Sequence, residues 1–70
     1  MKLTVNGQPR ECDAATLAEL WRRETVELEN AEPRGFAISL NGAVVRRAAW
    51  PTTPVHDGDA VEIIRAMSGG

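Results

Sequence analysis

Two Asn-Gly dipeptides, Asn6-Gly7 and Asn41-Gly42, constrain this chain more than any other feature. Each lies between short runs of alternating apolar and polar residues, and each tolerates the positive φ at two consecutive positions that a tight two-residue hairpin turn demands. Leu3 and Val5 share one side of the first run, with Lys2, Thr4 and Asn6 on the other, and Gln8 to Cys12 is expected to return antiparallel. Pro9 has no amide to donate, which places the return strand at a sheet edge or delays its start. Around the second turn Phe36, Ile38 and Leu40 face one way and Ala37 and Ser39 the other, with Ala43 to Arg46 returning.

The same period of two governs Ala60 to Met67, where Val61 and Ile63 share one face and Ala60, Glu62, Ile64 and Ala66 the other. Between the two hairpins the pattern changes. Thr16-Leu17-Ala18-Glu19 has the form of a capping box, and Leu17, Leu20 and Trp21 fall at the spacing of one helical stripe, which predicts a helix from about Thr16 to Glu24. Thr25 and Val26 are poorer helix formers, so the helix is expected to fray there, with Leu28 still reaching the core. Glu27 to Arg34 reads as an exposed connector. Ala48 to Pro54 reads as irregular, with Trp50 plugging one end of the core, and His56-Asp57-Gly58-Asp59 as a turn whose carboxylates bond the local backbone.

The order strand, strand, helix, strand, strand, strand predicts an α+β roll: a mixed sheet of four or five strands covered on one face by a single main helix. The first and last strands are expected to lie parallel in its middle, which is the β-grasp arrangement of ubiquitin-like domains. The expected core is Leu3, Val5, Leu17, Leu20, Phe36, Ile38, Leu40, Val61 and Ile63.

Seventy residues with 43% hydrophobic and 26% charged content fit one small folded domain, in which packing uses nearly every large apolar side chain. That leaves little for an enclosed active site. A net charge of −2, with only the short pairs Arg22-Arg23 and Arg46-Arg47, argues against nucleic acid as the main partner. Neither a membrane-spanning run nor a signal-like amino terminus is evident, so a cytoplasmic location is expected. No Cys/His set has metal-ligand spacing, no glycine loop with lysine cradles phosphate, and His56 stands alone in a turn. Cys12, between Glu11 and Asp13, has neighbours that disfavour the thiolate and is read as a passive thiol.

The sequence closes on Met67-Ser68-Gly69-Gly70, which divides the chain into a domain of residues 1–66 and an expected flexible tail of residues 67–70. Glycine lacks a Cβ, so Gly69 and Gly70 can thread a slot too narrow for other residues. A carboxylate at Gly70 is inert until adenylated, after which a sulfur nucleophile can attack its carbonyl carbon. By themselves two glycines read as an ordinary chain end, and only the upstream context raises them above that. Ile64 and Met67, on or beyond the uncovered face of the sheet, are candidate partner-docking residues; the alternative is a singly exposed apolar side chain without consequence.

The whole chain resembles the ThiS family of ubiquitin-like sulfur carriers of bacterial thiamine biosynthesis. The resemblance is carried by Val5-Asn6-Gly7, by Ala15-Thr16-Leu17-Ala18-Glu19-Leu20 and by Pro33-Arg34-Gly35-Phe36-Ala37-Ile38. It continues through Leu40-Asn41-Gly42, Val44-Val45, Trp50, Asp57-Gly58-Asp59 and Gly69-Gly70. It implies a carrier that performs no catalysis and binds no cofactor itself. A ubiquitin-activator-like enzyme would use ATP and Mg²⁺ to adenylate Gly70, and a cysteine desulfurase would supply sulfur as a persulfide. The resulting thiocarboxylate would be presented to thiazole synthase, with Gly69 keeping the tail slim. The alternatives are a molybdopterin-type sulfur carrier of the same fold and a non-covalent β-grasp interaction module.

Overall fold

The computed structural model describes residues 1–65. Five strands, β1 (Lys2–Val5), β2 (Gln8–Glu11), β3 (Phe36–Leu40), β4 (Ala43–Val45) and β5 (Ala60–Arg65), form one sheet in the order β2-β1-β5-β3-β4. The two hairpins are antiparallel, β5 is antiparallel to β3, and β1 and β5 run parallel at the centre. The helix α1 (Leu17–Glu24) covers one face, and short 3-10 segments span Pro33–Gly35 and Arg47–Thr52.

Both Asn-Gly turns have the positive φ expected of them: 53° and 78° at Asn6 and Gly7, 51° and 89° at Asn41 and Gly42. Two-residue loops fix the registers Val5↔Gln8 and Leu40↔Ala43. Register decides burial, because a slip of one residue would turn Leu3 and Val5 out to solvent. Pro9 is accommodated because β2 is an edge strand, exposed along its length.

Thr16 caps α1, its Oγ1 accepting from the Glu19 amide at 3.3 Å. The reach-back of Glu19 lands one residue earlier than a capping box places it, on the Ala15 amide at 3.2 Å. Thr16 is extended (φ −134°, ψ 166°) and bridges Pro54, while Leu17 N–H donates to the Thr53 carbonyl at 3.0 Å; the entry to α1 is thus stitched to the segment before β5. At the other end Thr25 closes the helix instead of fraying. Its amide and its Oγ1 both donate to the Trp21 carbonyl, at 3.1 and 2.8 Å, and the residue is buried. Leu28 does not reach the core: it is 43% exposed, since the chain turns outward at Val26.

Leu3, Val5, Ile38 and Val61 from the sheet pack against Leu17, Leu20 and Trp21 of α1, with Ala14, Trp50 and Val55 closing the ends. Three expected core residues, Phe36, Leu40 and Ile63, are only partly buried: Phe36 and Leu40 are the terminal residues of β3, and Ile63 lies beyond the last residue paired with β1. Phe36 meets Trp21 edge-on at 5.5 Å between ring centroids. The segment around Trp50 is ordered as a 3-10 helix, and Trp50 Nε1 donates to the Val45 carbonyl at 3.0 Å, tying it to β4.

Candidate functional site

β5 is the central strand, with Ile64 near its Arg65 end and the other candidate residues following in sequence; the groups that hold β5 in place set where that end lies. Its start is fixed by the Asp57-Gly58-Asp59 turn. Asp59 accepts from the His56 amide at 2.8 Å, the local bond expected of a turn. Asp57 instead accepts from the Lys2 amide at 2.6 Å, and Gly58 N–H donates to the Lys2 carbonyl at 2.7 Å, bonds that align β1 beside β5.

The two hairpin asparagines grip β5 from opposite sides. Asn41 donates its amide to the Ala60 carbonyl at 2.7 Å, and its Oδ1 accepts from the Ala60 amide at 2.9 Å. Asn6 donates its amide to the Val61 carbonyl at 2.8 Å; its Oδ1 accepts from the Ile63 amide at 2.8 Å and its Nδ2 donates to the Ile63 carbonyl at 3.1 Å. Sequence reasoning found these residues through turn chemistry alone. The side-chain bonds were not legible, because they depend on which strand lies alongside.

The face of the sheet away from α1 carries Thr4, Ala60, Glu62 and Ile64, with Ala37 opposite Ile64 on β3. Ile64 is 57% exposed, as the alternation in β5 implies, and Val44 lies exposed on the outer strand β4. Thr4, Asn6, Glu62 and Ile64 line a shallow concavity between the first hairpin and β5. On the other face the Arg65 guanidinium sits 5.7 Å from the centroid of the Phe36 ring, a cation-π contact at the last described residue. The candidate residues Met67, Gly69 and Gly70 lie outside the described residues.

Cys12 is half-buried beside Met1, whose carbonyl accepts from the Cys12 amide at 3.0 Å. Because β1 and β5 are parallel, this is the end of the sheet opposite Arg65, ~25 Å away at ~3.3 Å per strand residue. Among the described residues no three His, Cys, Asp or Glu side chains converge to hold a metal ion. The electrostatic perturbations centre on the pair Asp13 and Arg23, outside β5. Arg23 donates to Asp13 and, at 2.9 Å, to Glu19; its hydrogen bond and charge hold the Asp13 carboxyl below its ordinary value, and the same bonds raise Arg23.

Residues 3–70 match the model of the ThiS family. The chain belongs to the ThiS family. A "Sulfur carrier protein ThiS" of Thermus thermophilus is 36% identical over 66 residues, covering 94% of this chain and 95% of that protein. A "Sulfur carrier protein ThiS" of Escherichia coli is 27% identical over 70 residues, covering the whole of both chains. A "Thiazole synthase" of Paramagnetospirillum magneticum is 30% identical over 70 residues, which take up all of this chain and 20% of that protein. Among solved structures, the crystal structure of a thiamine biosynthesis protein (ThiS) from Geobacter metallireducens is 40% identical and superposes with a TM-score of 0.75 over the whole of both chains. ThiS has the β-grasp fold, and the mixed five-stranded sheet with one main helix described above agrees with the expected α+β roll.

Proposed function

We propose that this chain is a sulfur carrier of thiamine biosynthesis, with residues 1–66 as its folded domain and residues 67–70 as the segment its partners handle. The observation that carries this reading is the ThiS family match, which runs through Gly69 and Gly70 to residue 70. Full mutual coverage with the Escherichia coli sulfur carrier supports Gly70 as the residue that bears the reactive carboxylate.

The chemistry follows from that carboxylate. An adenylating enzyme transfers AMP from ATP, with Mg²⁺ on the phosphates, to the Gly70 carboxylate and releases pyrophosphate. Attack by a persulfide sulfur from a cysteine desulfurase expels AMP and leaves an acyl disulfide, which a second thiol cleaves to the thiocarboxylate and a new disulfide. Thiazole synthase then takes up the sulfur. The Paramagnetospirillum protein, in which a thiazole synthase carries a stretch similar to this entire chain, supports that partner and favours thiazole over molybdopterin as the destination.

The geometry supports a carrier that does not use its own thiol. Five residues beyond Arg65 reach at most ~18 Å even fully extended, short of the ~25 Å to Cys12. Direct transfer from Cys12 to Gly70 within one molecule is thus out of reach, which favours an external sulfur source. Ile64, on the uncovered face of β5, is the apolar side chain a partner meets next to that segment; Met67 is paired with it as a docking residue on sequence pattern alone.

The adenylation step is tested by ATP-pyrophosphate exchange with a ubiquitin-activator-like adenylating enzyme from the same organism. Exchange that requires the chain is the expected result. Exchange that proceeds equally without it, or is absent with both present, contradicts the proposal.

A further inference from the structure

The hairpin turn at Asn6-Gly7 ends β1 before β5 ends, so the β1 side of β5 loses its main-chain partner after Val61. At that point the carboxamide of Asn6 takes over. It accepts from the Ile63 amide at 2.8 Å and donates to the Ile63 carbonyl at 3.1 Å, satisfying both main-chain groups that two residues of a continued β1 would otherwise pair. Beyond Ile63, pairing among the described residues continues only on the β3 side, ending at Phe36↔Arg65. Among the described residues Asn6 is thus the last support on the β1 edge of β5.

We infer that Asn6 is a positioning residue for sulfur loading: its clamp on Ile63 fixes the direction in which the chain leaves the sheet while a docked partner takes Gly70 to ATP. The inference rests on the carrier reading. A strand end held on one edge only opens more readily than one held on both. Reaction at a carboxylate some residues downstream is sensitive to such loosening, since a misplacement of about an ångström is worth up to about a hundredfold in rate.

Asn41 supplies a matched control. Its Oδ1 likewise accepts from a β5 amide, but at Ala60, the end of the strand remote from Arg65, while its Nδ2 donates to Asp59 Oδ1 at 3.1 Å. Asn6→Gly and Asn41→Gly each keep a residue that accepts positive φ, so each preserves its turn while removing a clamp. Asn6→Asp keeps the acceptor for the Ile63 amide and loses the donor to its carbonyl.

The test measures adenylation kinetics with the carrier as the varied substrate, together with hydrogen exchange of the Ile63 amide. Asn6→Gly is expected to lower kcat by about tenfold or more with KM little changed, and to speed Ile63 exchange. Asn6→Asp should fall between it and the wild type, and Asn41→Gly should keep the wild-type kcat. A merely structural role gives a different signature: a smaller folded fraction raises apparent KM and leaves kcat alone. Unchanged kcat in Asn6→Gly, or an equal fall in Asn41→Gly, overturns the inference while leaving the carrier reading intact. A wild-type chain that is not adenylated overturns both.

Discussion

Leu20 joins the helix to the sheet. It is 1% exposed, at the centre of the α1 stripe, with Leu17 and Trp21 beside it and Val5, Ile38 and Val61 among the core residues from the sheet. Leu20→Ala removes buried methyl groups and leaves a cavity, and is expected to cost about 2 to 5 kcal/mol in denaturant unfolding. A loss below about 0.5 kcal/mol would be that of a surface site and would contradict this register of α1. Asp13 makes a different kind of contribution. Its folded-state pKa lies below the ordinary 3.8 because Arg23 stabilises the carboxylate, so its contribution is present above that value and disappears as pH falls through the lowered one. Melting temperatures of wild type and Asp13→Asn should therefore differ modestly at neutral pH, since the pair is exposed, and converge in acid. A gap that widens on acidification would contradict the assignment.

At the scale of elements, β5 is buried on the side of Val61 and open on the side of Ile64, and these sides have separate consequences. Ile64→Asp should cost less than about 1 kcal/mol in stability. It should raise the KM for adenylation by about tenfold, because it sets a charge in an apolar contact. Met67→Asp is expected to act in the same direction. An unchanged KM in well-folded variants would show that partners dock elsewhere. The strands, their turns and α1 were legible because each follows a local rule: period two, Asn-Gly, or a cap followed by a stripe. Val55 and Ala14 were not, although both are buried, because they lie in segments without a period and are covered only once Thr16 bridges Pro54. The reach of Asp57 to Lys2 was hidden for the same reason, since its partner lies across the parallel strand pair that closes the sheet.

For the molecule as a whole, the central parallel pair sets Arg65, the last described residue, at the end of the sheet away from Cys12. The exposure of Ile64 could be read from alternation, but the role proposed for Gly70 could not be read from composition or spacing; it rests on the series of motifs along the entire chain. The direct test of the account is the intact mass of the protein after incubation with the adenylating enzyme, ATP and a sulfur source. Wild type and Cys12→Ser are predicted to gain the mass of one oxygen exchanged for sulfur. Deletion of Gly70, or addition of one alanine after it, is predicted to abolish the gain without lowering the melting temperature. Loading of the deletion variant together with failure of Cys12→Ser would contradict the account, because sulfur would then travel on the thiol.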